Sequence, residues 1–208
     1  MTRHLDTGTS DHGNAESEGD RPAPAKRTGS RLLEQVHDRD IAHALARRLT
    51  GYALPDVELR TLRHGVVPLR AHVGGWTTVE FFPGQGPREA SDREQELALM
   101  RASTDHTEGF RELTEAKARA ISVISDPPAG IDLTSVFIDP RGLVLCDPDL
   151  VIAGELGLPS VEIAGVKRYR RLTLLTRDAR IEKVIFPPEE NVDNHLRRIV
   201  TWIRAAGA

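Results

Sequence analysis

The spacing of apolar residues is helical in the stretch that follows the polar N-terminus. Five residues form an apolar stripe at roughly helical spacing: Leu33, Val36, Ile41, Leu45 and Leu49. Ser30 is a suitable N-cap, and Gly51 suits the C-terminal end of a helix. The pattern therefore predicts an amphipathic helix over residues 31–50.

From residue 55 onward the pattern becomes strand-like. Apolar and polar residues alternate in 57–62, His64-Gly65 suits a turn, and 66–69 follows, which together predict a hairpin. Residues 76–82, "WTTVEFF", are rich in aromatic and β-branched side chains and stop at Pro83-Gly84. They predict a strong strand.

Helices and strands alternate in the rest of the chain. Helices are predicted at about 89–101, 104–118 and 190–205, and strands at 120–125, 143–146, 169–177 and 181–186. A short helix is expected after Asp147-Pro148, and 133–138 fits either a helix or a strand. This order predicts an α/β sandwich with a central mixed β-sheet flanked by helices.

Composition narrows the classes of protein that fit this pattern. The chain has 208 residues, a net charge of -3 and one cysteine, Cys146. Charges of both signs are interspersed, so no nucleic acid or anionic membrane is expected as a partner. No apolar run is long enough for a membrane span and no secretory signal is visible, so we expect a cytoplasmic protein. One cysteine also rules out an intrachain disulfide.

Residues 1–30 are small and polar, with no aromatic side chain. Such a composition cannot bury enough surface to offset its ordering entropy, so it predicts a disordered tail. His4, Asp6, Asp11 and His12 could contact a metal ion. A flexible tail is favoured, because nothing fixes a ligand geometry. We expect neither a metal nor a cofactor.

Several short strings, in order, resemble the thioredoxin-fold peroxiredoxins (the alkyl hydroperoxide reductase and thiol-specific antioxidant group). The strings are "LPDVELRTL", "TTVEFFPG", "GFREL", "AISVISDPP", "CDPDLVIAGELGLPSVEIAG" and "YRRLTLLTRDARIEKVIFPPEEN". The resemblance covers about residues 51–206 and implies a thioredoxin-like, peroxiredoxin-type sandwich. Together with the composition of the tail and the spacing of the first apolar stripe, it divides the chain into the tail 1–30, a helix 31–50 and a thioredoxin-like domain 51–208.

The residues that carry peroxiredoxin chemistry are altered. Relatives of the most similar subgroup resemble Cys-Thr-x-x-x-Cys-Gly-Phe-Arg, which matches Ser103 to the peroxidatic cysteine and Glu108 to the resolving one. The family's proline-threonine approach is also missing, whereas its arginine matches Arg171, close to Thr173. A hydroxyl is far less acidic than a thiol and has no sulfenic acid cycle, so a serine cannot replace the cysteine.

Two alternatives for the remaining chemistry stay open. Ser103, Asp105, His106 and Glu108 could suggest hydrolysis, but residues this close on one helical turn rarely point at each other. Asp105 and Glu108 fit a capping box, which is the favoured interpretation. Cys146 could serve as a nucleophile with an external thiol, although a small buried residue at a strand end is the simpler interpretation.

Arg171 lies in the basic run "KRYRR". Alternation would place it on one face with Tyr169, either at a solvated strand edge or pointing into the old active-site pocket. In the pocket, it would need a counter-charge, for which we expect Glu108 or Asp105, with Thr173 alongside.

Three functions remain open at this stage. The first is a cysteine-degenerate peroxiredoxin-like protein that lacks thiol peroxidase activity and binds a small molecule or a protein. The second is a repurposed enzyme that performs non-thiol chemistry on a small molecule in a biosynthetic pathway. The third is a peroxidase that uses Cys146. The resemblance also implies a homodimer.

Overall fold

The computed structural model describes residues 27–62, 65–84, 107–131, 142–189 and 191–207. The predicted tail, the predicted helix at 89–101 and the ambiguous segment 133–138 lie outside these residues, apart from the tail's last four. Four helices are described: α1 (Arg27–Leu49), α2 (Thr107–Glu115), α3 (Val151–Leu156) and α4 (Val192–Ala205). None of them is long and apolar enough to cross a bilayer.

Nine strands are described, and seven of them form one mixed sheet. They are β1 (Glu58–Thr61), β2 (Val66–Pro68), β3 (Trp76–Phe82), β4 (Ala118–Ile124), β5 (Leu143–Cys146), β6 (Ser160–Ile163), β7 (Val166–Tyr169), β8 (Leu172–Arg177) and β9 (Arg180–Ile185). The order in the main sheet is β2-β1-β5-β4-β3-β8-β9. The central strands β3, β4 and β5 are parallel, and the outer strands pair antiparallel.

Each face of this sheet is covered by helices. On one face, Leu45 and Leu49 of α1 and Ile152 of α3 join Val79 and Phe81 of β3 in a core cluster. The opposite face carries α2 and α4. Its apolar cluster contains Trp76, Phe110, Leu113, Leu175, Leu196, Ile199 and Ile203. The predicted sandwich is therefore confirmed, because alternate residues of β3 face opposite helix layers.

The predicted elements agree with the observed ones in most places. Helix α1 ends at Leu49, and Gly51 follows with a φ of +84°, a conformation that glycine adopts readily. The hairpin β1–β2, the strands β3, β4 and β5, and the helices α3 and α4 are all confirmed. Helix α2 ends at Glu115, earlier than the predicted segment 104–118, because β4 begins at Ala118.

The prediction of one strand over 169–177 is wrong. Tyr169 ends β7, which pairs with β6 in a separate two-stranded sheet, and β8 starts at Leu172. The hairpin β6–β7 was not predicted. Arg170 and Arg171 follow β7 and precede β8 along the chain, and they belong to neither strand. Alternation does not continue across such a break, so Tyr169 and Arg171 need not share a face.

Candidate functional site

A cluster of polar side chains interrupts the apolar face under α2 and α4, at the C-terminal end of β3. Trp76, Thr78, Glu80 and Phe82 alternate onto this face. We call Glu80, Arg171, Thr173 and His195 the polar cluster. Ligands of open α/β sheets commonly bind beyond the carboxyl ends of parallel strands, and the cluster lies near that end of β3, because Phe82 is its last residue.

Strand register brings Glu80 and Thr173 together. Glu80 of β3 lies opposite Thr173 of β8 in the antiparallel pair, and opposite Ser122 of β4 in the parallel pair. Directly opposed residues of an antiparallel pair have Cβ atoms roughly 5 Å apart. All three residues are buried. The register of the central sheet therefore places Glu80 between Thr173 and Ser122.

The carboxyl group of Glu80 is held in an environment that disfavours its charge. Burial raises its pKa to about 7, and the positive charge of Arg171 opposes this rise without cancelling it. Its Oε1 atom is buried and has no hydrogen-bond partner. Glu80 is therefore titratable near neutral pH, a property that active and binding sites share.

His195, on α4, adds an imidazole to the cluster. Its Nε2 lies 2.9 Å from Oγ1 of Thr173, and its Nδ1 is buried without a hydrogen-bond partner. Burial, and then Arg171, lower the pKa of His195 to about 4. The ring is therefore neutral at physiological pH, and its hydrogen bond to Thr173 joins α4 to the central sheet.

Arg171 is the cation of the cluster and its most accessible member. Its guanidinium carbon lies 5.6 Å from the centroid of the Phe82 ring, and the side chain is half-buried. Phe82 and Glu80 share a face of β3, whereas Tyr169 packs on Phe81 on the other face, with ring centroids 4.9 Å apart. The prediction that Arg171 and Tyr169 share a face is therefore wrong.

Glu108 does not provide the counter-charge for Arg171. It lies on the exposed side of α2, where its Oε2 is 2.7 Å from Nη2 of Arg197 and its Oε1 is 3.4 Å from Nη2 of Arg111. The predicted Arg171–Glu108 pair is wrong. Among the described residues, the carboxyl group of Glu80 interacts with the charge of Arg171.

Three predicted site residues, Ser103, Asp105 and His106, lie outside the described residues. Their roles, including the capping box between Asp105 and Glu108, therefore stay predictions. Of the other predicted site residues, the structure brings Arg171 and Thr173 into the polar cluster and places Glu108 on the surface.

Sequence reasoning missed Glu80 and His195, although both left a signal. Glu80 is the only charged residue in the string "WTTVEFF", and His195 directly precedes Leu196 in the apolar stripe of α4. Charged or polar residues in otherwise apolar core positions are uncommon and therefore informative.

Cys146, at the end of β5, is buried. Burial, and then the negative charge of Asp126, raise the pKa of its thiol to about 11. The next residue, Asp147, accepts hydrogen bonds from the backbone N–H groups of Val151 and Ile152, at 2.8 and 3.0 Å. Cys146 thus has the properties of a structural thiol, since a reactive one needs a lowered pKa and access to solvent.

A second arginine fixes the end of β3. Arg168 forms a buried ion pair with Asp126 and donates a 2.8 Å hydrogen bond from Nη1 to the backbone oxygen of Pro83. Gly84 has a φ of +77°, and a Cβ atom there would lie 2.3 Å from Oδ2 of Asp126. We call Arg168, Asp126 and Gly84 the clamp. It holds the backbone that follows Phe82.

Two surface grooves lie away from the polar cluster. One is lined by residues of α2 and β4, including Leu113 and Arg119, and the other lies between α3 and the β6–β7 hairpin, including Leu158 and Val166. Among the described residues, the buried side-chain atoms without hydrogen-bond partners belong to Glu80, His195 and Arg168, and none lines either groove. The polar cluster is therefore the better candidate site. In the same described residues, no group of His, Cys, Asp or Glu is arranged to hold a metal ion.

Comparison with solved structures identifies the architecture. The chain is similar to the peroxidoxin BcpB of Mycobacterium tuberculosis, with 18% identity, a TM-score of 0.58, and coverage of 77% of this chain and 99% of that one. It is similar to peroxiredoxin Q of Xanthomonas campestris, with 18% identity, a TM-score of 0.56, and coverage of 78% and 99%.

A third similar structure is the reduced Prx3 of Vibrio vulnificus in complex with hydrogen peroxide, with 17% identity, a TM-score of 0.56, and coverage of 74% and 97%. No protein-family model and no curated protein matches the sequence. The architecture is thus the thioredoxin-like sandwich of the peroxiredoxins, and the predicted fold class is confirmed.

Proposed function

We propose that this chain is a peroxiredoxin-fold protein without thiol peroxidase activity, which binds a small molecule at the polar cluster. The supporting observation is that its single cysteine, Cys146, is buried with a thiol pKa raised to about 11. A thiolate is the species that attacks a peroxide, and almost none forms at neutral pH with such a pKa. Ser103 stands at the position that matches the peroxidatic cysteine of the family.

The proposed binding role rests on the side chains of the polar cluster. Arg171, a half-buried cation, lies beside the buried carboxyl of Glu80 and the Thr173–His195 hydrogen bond. One neighbour of known structure, the Vibrio protein, binds hydrogen peroxide. In this chain, Ser103 and Glu108 stand at the positions that match the family's two cysteines. The ligand that we propose is therefore not a peroxide that the protein's own thiol reduces.

A peroxide-consumption assay tests the first half of this proposal. The protein is mixed with hydrogen peroxide and, in turn, thioredoxin, glutathione or dithiothreitol as the electron donor. We expect no consumption above the rate of the donor alone, and the same result for Cys146→Ser. Catalytic consumption that disappears in Cys146→Ser would establish a peroxidase that uses Cys146.

Ser103→Cys is the matched gain-of-function control. It places a thiol at the position that the resemblance assigns to the peroxidatic cysteine. The variant also carries Cys146→Ser, and mass spectrometry monitors oxidation of the new thiol by peroxide. Oxidation of this thiol would show that the natural protein lacks peroxidase activity because of Ser103. If the new thiol is no more reactive than Cys146, other changes around the site also prevent the chemistry.

A repurposed enzyme is the second candidate, and Glu80 is the observation that favours it. A carboxyl with a pKa of about 7 beside a cation suits proton transfer at neutral pH. Turnover of a small molecule that is lost in Glu80→Gln while binding persists would support this candidate over a binding protein.

Homodimer formation and a cytoplasmic location remain proposals. Val161, Ile163 and Val166 on the β6–β7 hairpin are exposed apolar side chains that a second copy could cover. Light scattering that gives the mass of one chain at high protein concentration would contradict the dimer.

A further inference from the structure

Two buried polar atoms on the α2/α4 face have unused hydrogen-bonding capacity. They are Oε1 of Glu80 and Nδ1 of His195, on side chains of residues that are 8% and 2% exposed. A buried polar group without a partner costs about 1–3 kcal/mol, and native proteins retain few of them. The third such atom among the described residues, Nε of Arg168, belongs to the clamp, where its guanidinium already pairs with Asp126.

The charge of the same region is positive when Glu80 is protonated. Arg171 contributes one full charge, His195 is neutral because its pKa is about 4, and Thr173 and Ser122 carry no charge. Two other charged groups act on His195, Glu189 and Arg198, and their effects have opposite signs. A site with a single guanidinium suits a ligand with a single negative charge, and its fork of donors matches a carboxylate.

We propose that the polar cluster binds a small monocarboxylate, with Arg171 pairing with the ligand charge and the protonated carboxyl of Glu80 donating its O–H to a ligand oxygen. This inference rests on the proposed binding function and specifies the class of ligand. Thr173 lies opposite Glu80 and offers a hydroxyl to the same region, with its orientation fixed by His195.

Binding of such a ligand takes up a proton. Two carboxylates side by side repel each other if both are ionised, so the complex requires the neutral form of Glu80. In the free protein Glu80 has a pKa of about 7. Below pH 7 the neutral form is already present and affinity is constant. Above pH 7 affinity falls, so that the dissociation constant rises roughly tenfold between pH 6 and pH 8.

Isothermal titration calorimetry with butyrate, and with butyramide as the uncharged control, tests the proposal. We expect butyrate to bind and butyramide not to bind. Titrations in two buffers of different ionisation enthalpy should show proton uptake at pH 8 and none at pH 6. Failure of butyrate to bind at pH 6, or equal binding of butyramide, would overturn the carboxylate assignment.

Three variants separate the roles of the cation and the acid. Arg171→Met should abolish butyrate binding, and Arg171→Lys should weaken it while leaving the proton uptake. Glu80→Gln keeps a donor without a titratable proton, so it should bind butyrate with the same affinity at pH 6 and pH 8. Binding that survives in Arg171→Met, or a pH dependence that survives in Glu80→Gln, contradicts the proposal.

A measurement on the natural sequence covers the case in which Glu80→Gln does not fold. Carbon-13 NMR of the glutamate side-chain carboxyls should show one resonance that titrates near pH 7 and shifts to higher pH with saturating butyrate. An unchanged titration would refute the shared proton. If the protein lacks peroxidase activity but does not bind butyrate, this inference is wrong and the proposed function stands. If it is a peroxidase that depends on Cys146, the proposed function itself is wrong.

Discussion

Arg168 and Arg171 lie close together in sequence, and each interacts with a buried carboxyl group, but the two arrangements differ. Arg168 is buried and pairs directly with Asp126, with a further hydrogen bond to the backbone of Pro83. Arg171 is half-buried, influences Glu80 through its charge, and leaves Oε1 of Glu80 without a partner. The first arrangement is complete within the protein. The second leaves a buried polar atom without a partner, and it is there that we propose that a ligand binds.

Removal of Arg168 should have the largest effect on stability. In Arg168→Met, Asp126 loses its buried ion pair with Arg168, and the backbone oxygen of Pro83 loses a hydrogen bond. Breaking one side of a buried pair costs roughly 3–5 kcal/mol. Urea denaturation at pH 7 should show a loss of that order. A loss below about 1 kcal/mol, the level of an exposed pair, would remove the structural role of the clamp.

Glu80→Gln should change how stability depends on pH. The folded pKa of Glu80 is about 7 against an ordinary value of 4.5. A raised folded pKa means that Glu80 stabilises the folded state most below pH 4.5, and that this contribution is lost as pH rises to 7. Relative to the natural protein, Glu80→Gln should therefore gain about 3 kcal/mol between these two pH values. Parallel stability curves for the two proteins would show that Glu80 ionises freely.

His195→Gln should reveal the opposite slope. The folded pKa of His195 is about 4 against an ordinary value of 6.5, so its contribution to stability is present above pH 6.5 and lost as pH falls to 4. Relative to the variant, the natural protein should lose up to about 3 kcal/mol on acidification through this window. Glu80 and His195 change the free energy of unfolding with pH in opposite directions. Their effects therefore largely cancel in the natural protein, and each becomes visible only in the variant that lacks the other group. A pH-independent difference between variant and natural protein would contradict this account.

Arg171→Met should have the smallest effect on stability. The side chain is half-buried, and its removal leaves Glu80 neutral at pH 7, because the charge of Arg171 is what lowers the pKa of Glu80. We expect a change below about 1 kcal/mol, because no buried charge is left unpaired and accessible positions usually tolerate substitution. The matched measurement is the same urea denaturation used for Arg168→Met. Equal losses in the two variants would erase the distinction between the two arginines.

The order of elements could be read from the sequence because hydrophobic patterning depends on local spacing. The aromatic and β-branched residues of 76–82 predicted β3, and the apolar stripe that ends at Leu49 predicted α1. The hairpin β6–β7 was not predicted because its side chains are mostly exposed, so its sequence shows little alternation of apolar and polar residues. The face predicted for Arg171 was wrong because Arg170 and Arg171 lie outside the strands, and alternation does not continue across them into β8.

The polar cluster could be predicted only in part. Arg171 and Thr173 were found through the family resemblance, which preserves strand positions. Glu80 and His195 were not, because strand register and helix docking bring them to the cluster from distant parts of the chain. The carboxylate for Arg171 was sought on the nearest helix in sequence, whereas the sheet supplies it from the adjacent strand.

The close packing around Gly84 limits how this sequence can change during evolution. Any side chain at position 84 would collide with Asp126 and Arg168 and would also have to accept a positive φ. Substitutions at these three positions are therefore coupled, and a library selected only for folding should retain glycine, aspartate and arginine together. Relatives of this chain could then be sought with this triplet, which does not depend on redox chemistry.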